Sequence, residues 1–281
     1  EADLGDTDRT CAIYIIGRTS GEGSDRKLAE GDYELSEKEK ENLIFLTEHY
    51  THTVVVINAG GVIDTKFLRN QKGISAIVLM SQAGCAGGRA LAEVLTGKVT
   101  PSGHLTTTWA ENYTDYPSAG TFSYLSGDVN DEYYNEGIYV GYRYFDSFGI
   151  APAYPFGFGL SYTDFSMNCT GCVLDGEKVM VSVAVKNTGA IYSGRETVQV
   201  YVSQPQGKLD KAYQVLSGFA KTKVLAPGEE EVCTVAVPLR SLASYDEASA
   251  QYILESGNYY VRVGNHSRNT HVAAALHVME T

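Results

Sequence analysis

Residues Gly17 to Lys27 read GRTSGEGSDRK, with Glu22 standing between Gly21 and Gly23. Glycine carries no Cβ, so the backbone can bend sharply on both sides of this carboxylate and approach a ligand closely. A single carboxyl group presented in this way can act as a general acid, giving a proton to a departing group. Asp25 and Arg26 stand where they can tune its pKa or hold hydroxyl groups. With Ser20 they form the candidate ligand-binding set. The same stretch also reads as an exposed acidic loop with no task, so its place in the fold decides between the two.

That place is set by the elements around it. Cys11 to Gly17 (CAIYIIG) is a continuous apolar run, as expected of a strand buried on both faces, and the loop follows it directly. Loops at the C-terminal ends of strands are where open α/β sheets bind ligands. Ser36 and Glu39 have capping-box spacing, and Leu43, Leu46 and Tyr50 follow at helical spacing. Thr53 to Ala59 and Ile74 to Met80 read as further buried strands, and a Gly-rich turn leads into a helix from Arg89 to Thr96. Strands alternating with helices imply an α/β layer with a mainly parallel sheet. Three strands make a thin layer. Either it belongs to a larger sheet or its missing strands come from elsewhere.

From Ser102 to Thr163 the sequence is aromatic and Gly-rich with little helical period, a structured connector. After Phe165 it turns all-β: Val179–Val185, Thr197–Val202, Glu231–Val237, Tyr259–Val263 and His271–His277 are strand-like, with turn signals such as Pro227-Gly228 between them. About seven short strands of this kind suggest an immunoglobulin-like sandwich. The expected domains are residues 1–163, an incomplete α/β domain with its connector, and residues 164–281, the sandwich.

Composition narrows the function. A formal net charge of −12 without a basic cluster argues against nucleic acid, whose binding needs Lys and Arg to displace phosphate counterions. The five cysteines form no disulfide framework, and Cys169-x-x-Cys172 lacks the second ligand pair a structural zinc requires. No metal or cofactor is expected. The start of the chain has neither a basic region nor an apolar run, so no signal peptide is read and both cytoplasmic and secreted locations stay open. No segment approaches the ~20 apolar residues of a membrane span. Gly84-Cys85-Ala86-Gly87-Gly88 lacks the Gly-x-Gly-x-x-Gly of a dinucleotide turn, and Cys85 has no evident base beside it. Glu136 is expected to anchor the connector through hydrogen bonds, and the tyrosines from Tyr139 to Tyr144 to pack. Asn112, Asn168 and Asn265 begin glycosylation sequons, relevant only in a secreting eukaryote.

Ser20 to Arg26 resembles the acid/base loop of the β-glucosidase branch of glycoside hydrolase family 3. The resemblance continues through Gln82-Ala83-Gly84, Gly87-Gly88-Arg89-Ala90, Val94-Leu95-Thr96-Gly97 and Pro101-Ser102-Gly103-His104-Leu105. It extends over Glu136 to Tyr144 and Phe156 to Thr163, then through Asn187-Thr188-Gly189 and Leu225 to Gly228 in the sandwich. Nearly the whole chain is covered, in the family's order. The resemblance implies the family's α/β sandwich domain followed by a fibronectin type III-like domain.

It also implies a retaining mechanism on a β-linked glycoside, with Glu22 as acid/base. Such chemistry uses two carboxylates about 5–5.5 Å apart. In the family the Asp nucleophile lies in a (β/α)8 barrel, in a Ser-Asp-Trp-like segment. Here the sole tryptophan, Trp109, follows Thr108, so that segment is absent. The barrel is then a missing partner, in cis or in trans, and in some relatives it follows the sandwich. Ser24 stands where many relatives place a Tyr that flanks the outgoing group. The chain is expected to be inactive alone, with a non-catalytic carbohydrate-binding or stabilising module as the alternative.

Overall fold

A computed structural model of the chain describes residues 9–19, 23, 25–128, 130, 131 and 133–279. Its first layer is a parallel sheet of β1 (Cys11–Gly17), β2 (His52–Asn58) and β3 (Ile74–Leu79), with β2 in the middle. The register pairs Tyr14 with Val55 and Ile16 with Ile57, which aims these side chains at one face. There they pack with Leu43 of α1 (Glu37–His49), Leu68 of α2 (Lys66–Asn70), Leu35 and Trp109. Each such aliphatic side chain stabilises the fold by about 1.5–3 kcal/mol when fully buried. Helix α1 starts where its capping box predicts: Ser36 Oγ accepts from the Glu39 amide, and the Glu39 carboxylate accepts from the Ser36 amide. Helix α3 (Gly87–Leu95) follows the Gly-rich turn.

Strand β1 departs from expectation. Its other face carries Ile13 and Ile15, which are 52% and 55% exposed, so the strand is not buried on both faces. It is an edge strand, and the opening is confined to it, since Val56 of β2, the register partner of Ile15 on the same face, is fully buried. Parallel strands are hydrophobic on both sides because helices normally cover both. The apolar run therefore reports a face that wants cover, and for β1 the described residues supply it on one side only.

The connector holds β4 (Trp109–Ala110), α4 (Tyr142–Ser147) and β5 (Pro152–Tyr154), with β4 and β5 paired. It closes on itself near Gly159, where a Cβ would sit 2.2 Å from the Gly103 carbonyl oxygen. The tyrosines pack as the sequence predicts: Tyr142 stacks on Phe156 at 4.6 Å, and Tyr139 meets Phe148 at 5.0 Å.

The rest is a sandwich. One sheet orders β10 (Glu230–Pro238), β7 (Lys178–Asn187) and β6 (Phe165–Asp175). The other orders β14 (Asn269–Val278), β13 (Gly257–His266), β8 (Thr197–Ser203) and β9 (Val215–Lys221). A small hairpin, β11 (Ser244–Asp246) with β12 (Gln251–Ile253), lies apart. The period-2 pattern points Val179, Val181, Val183 and Val185 inward against Val198, Val200, Val202, Val261 and Val263. Cys169 and Cys172 flank a bulge in β6, and both thiols are free.

Polar contacts weld this sandwich to the connector. Arg268 binds Asp146 at 2.6 Å and donates to the Phe145 carbonyl, while Gln214 donates to the same carboxylate. His104 lies 3.0 Å from Glu196 and 2.6 Å from the Gly157 carbonyl, and Lys221 donates to the Ser102 carbonyl. No helix among the described residues is long and apolar enough to cross a membrane.

Candidate functional site

The stretch that carries Glu22 leaves the C-terminal end of β1, and both of its ends are fastened. At the near end Arg18 is 7% exposed, and its guanidinium meets the Glu39 carboxylate with both arms, at 2.7 and 2.8 Å. Its Nε also donates to the Asp32 carbonyl at 2.7 Å. Burial alone would raise the Glu39 carboxyl, but hydrogen bonds from Arg18 and the Ser36 amide outweigh it and hold Glu39 below its ordinary range. At the far end Arg26 pairs with Asp32 at 2.7 Å, and the Lys27 amide donates to the other Asp32 oxygen at 2.7 Å. Two arginines thus draw the residues before and after the Gly21-Glu22-Gly23 segment onto one support, residues 32–39. Gly23 itself has no heavy atom of the described residues within 4 Å of where a Cβ would be.

Tyrosines brace this support from behind. Tyr33 is 6% exposed and meets the Tyr113 ring at 5.2 Å. Tyr113 meets Tyr116 at 6.2 Å, and Tyr116 meets Phe145 at 5.9 Å. Burial, with Tyr116 and Asp64 nearby, pushes the Tyr33 phenol far above its ordinary range, so it stays protonated. Beyond the braces the surface opens into a cleft of about 420 Å³ that Asp25 lines together with Phe122, Ser123, Tyr133, Tyr134 and Glu136.

Residues 4–142 match the glycosyl hydrolase family 3 C-terminal domain, and residues 196–267 match the fibronectin type III-like domain. β-Glucosidase A of Butyrivibrio fibrisolvens is 38% identical over 92% of this chain, and a β-glucosidase of Ruminococcus albus 40% identical over 92%. The chain belongs to glycoside hydrolase family 3. Among solved structures, β-glucosidase 3B of Thermotoga neapolitana superposes on 96% of the chain with a TM-score of 0.90 at 39% identity. A β-glucosidase of Paenibacillus barengoltzii does so with a TM-score of 0.89 at 41% identity. The family 3 chain spans about a third of its relatives' length: 36% and 27% of the two curated proteins, 38% and 30% of the two solved ones.

Of the residues singled out in the family 3 sequence, Ser20 and Glu22 lie outside the described residues, as does Ser24. Asp25 faces the cleft, whereas Arg26 turns to Asp32. Glu136 also differs from expectation. Its carboxylate has no hydrogen-bond partner among the described residues and lines the cleft, because the local turn is closed by its backbone carbonyl accepting from the Tyr139 amide. Sequence reasoning missed Arg18, whose signal was a lone arginine placed directly after an apolar strand. It also missed Phe122, Tyr133 and Tyr134, which no spacing relates to the loop.

Proposed function

We propose that this chain is the C-terminal portion of a retaining β-glucosidase-like hydrolase and that Glu22 is its general acid/base. The observation that carries the reading is that the residues flanking Gly21-Glu22-Gly23 are held after β1, Arg18 before it and Arg26 after it, both on residues 32–39. The sequence similarity to β-glucosidases agrees with it. In the first step an Asp of a barrel domain, in cis or in trans, attacks the anomeric carbon while the Glu22 carboxylic acid protonates the departing oxygen. In the second, the Glu22 carboxylate takes a proton from water as that water attacks the glycosyl-enzyme ester, which regenerates both carboxyl groups. Ser20, Asp25 and Arg26 form the surroundings of the acid. Residues 1–163 are the α/β part with its connector, and residues 164–281 the fibronectin-like scaffold.

The open face of β1 supports a missing counterpart. Ile13 and Ile15 are apolar, adjacent on one face and about half exposed, as expected where more of a longer protein packs. The test is hydrolysis of an aryl β-glucoside by the chain alone and by the chain assembled with a barrel domain, each beside Glu22→Gln. Turnover should require the barrel and fall by about 10²–10⁴-fold in Glu22→Gln. Unchanged turnover in that variant refutes the acid/base role. Turnover by the chain alone that Glu22→Gln abolishes would mean that the chain holds its own second carboxylate.

A further inference from the structure

A second hollow, of about 200 Å³, lies where the connector meets the sandwich. Three stretches wall it: Asp146 of α4, Tyr213 just ahead of β9, and Arg262, Ser267, Arg268 and Thr270 of the β13–β14 hairpin. Arg262 is the unusual member. It is half-buried, its Cζ lies 5.2 Å from the centre of the Tyr213 ring, and its Nε donates to the Thr270 hydroxyl at 3.1 Å. That hydroxyl is held in turn, since it donates to the Gln214 side-chain carbonyl at 3.3 Å. Ring and hydroxyl thus fix the plane of the guanidinium. Yet neither Nη has an acceptor among the described residues, and no carboxylate there pairs with Arg262. Arg18, Arg26, Arg69 and Arg268 each bind one. A guanidinium drawn partly out of water is ordinarily paired, because only a partner offsets the loss of hydration.

The single acid of the lining is already engaged. Asp146 is held by Arg268 at 2.6 Å and by Gln214 at 3.0 Å. Two guanidiniums around one carboxylate leave a positive charge over, in a chain whose formal net charge is −12. That surplus selects the ligand. A cation would be repelled, and a neutral molecule would leave Arg262 uncompensated. The Nη edge is a planar fork of the kind that meets two carboxylate or phosphate oxygens with parallel hydrogen bonds. Volume sets the size: about 200 Å³ is below the ~300–1,000 Å³ of drug-sized sites, which suits an anion of a few atoms and excludes a nucleotide. Ser267, 3% exposed, brings a hydroxyl to the same space.

We propose that this hollow binds a small oxyanion, phosphate or carboxylate, on the Nη edge of Arg262 with the Ser267 hydroxyl beside it. The proposal stands apart from the acid/base reading of Glu22. Its walls belong to both the connector and the sandwich, so an anion that binds only the assembled form stabilises their union.

Isothermal titration of the chain with inorganic phosphate, and separately with acetate, at constant ionic strength tests it. At least one of the two should bind one-to-one with a Kd of about 1 mM or tighter. Arg262→Gln should weaken that binding by roughly tenfold or more. Arg262→Lys keeps the charge but loses the fork, and should weaken it by about threefold or more. Arg240→Gln, which removes an exposed arginine outside the hollow, should leave it unchanged. No binding of either anion overturns the proposal. So does an equal loss in Arg262→Gln and Arg240→Gln, which would report the chain's overall charge instead of a site. The melting temperature supplies a second reading: the anion that binds should raise it in the wild type and not in Arg262→Gln, and an equal rise in both overturns the proposal. Arg262→Lys retains a cation over the Tyr213 ring, so both measurements stay decisive if Arg262→Gln fails to fold.

Discussion

At the scale of single residues, the site depends on a charge pair more than on the loop itself. The Arg18 side chain is 3% exposed and depends on Glu39 for both of its strongest contacts. Removing one member of a buried pair strands the other, at a cost of roughly 3–5 kcal/mol. Glu39→Gln keeps the cap geometry but loses the charge, so it should lower stability by about 3 kcal/mol at neutral pH. The pH dependence follows from the direction of the shift. Glu39 is held below its ordinary 4.5, so its contribution is complete above that pH and disappears as pH falls through the lower folded-state value. Urea midpoints measured from pH 7 to pH 3 should therefore decline below about 4.5 in the wild type and decline less in Glu39→Gln; parallel curves would refute the assignment. Much of this was legible as residue type, since Ser36 and Glu39 announced their cap. The second partner of Glu39 was not, because Arg18 and Glu39 are 21 positions apart and only the sheet brings them together.

At the scale of elements, local periodicity was readable and its context was not. The run VMVSVAV alternates and its valines lie inward as period 2 requires. CAIYIIG was read as doubly buried, yet its outer isoleucines are open, because an apolar run carries no record of what covers it. Helix α2, five residues long, is too short to display a period and was missed. The cleft was illegible for a related reason: it draws Asp25, Phe122 and Tyr133 from three separate stretches, and no window spans them. The connector's tight closure makes its own prediction. Gly159→Ala would place a methyl group 2.2 Å from the Gly103 carbonyl oxygen, and backbone must move to admit it. A loss of about 1–3 kcal/mol is expected by thermal or chemical denaturation. An unchanged melting temperature would show that the Gly103 turn yields freely.

At the scale of the whole molecule, the sandwich and the connector are one mechanical unit. Asp146 has a side chain only 2% exposed, and burial raises its pKa even though Gln214 and Arg268 oppose that shift. Without Arg268 the carboxylate would be left buried and largely unpaired. Arg268→Ala should cost about 3 kcal/mol and split one calorimetric unfolding transition into two, with Asp146→Asn restoring part of the loss. A single transition in Arg268→Ala would place the coupling elsewhere, in His104–Glu196 or the stacking of Tyr142 on Phe156. The bare edge of β1 has a consequence of another kind. A fold that leaves two half-exposed isoleucines side by side has a stability that is not a property of the chain alone. It becomes a function of mass action: whatever binds that edge shifts the folding equilibrium by RT ln(1 + [L]/Kd). The chain's melting temperature would then read out the concentration of its missing counterpart.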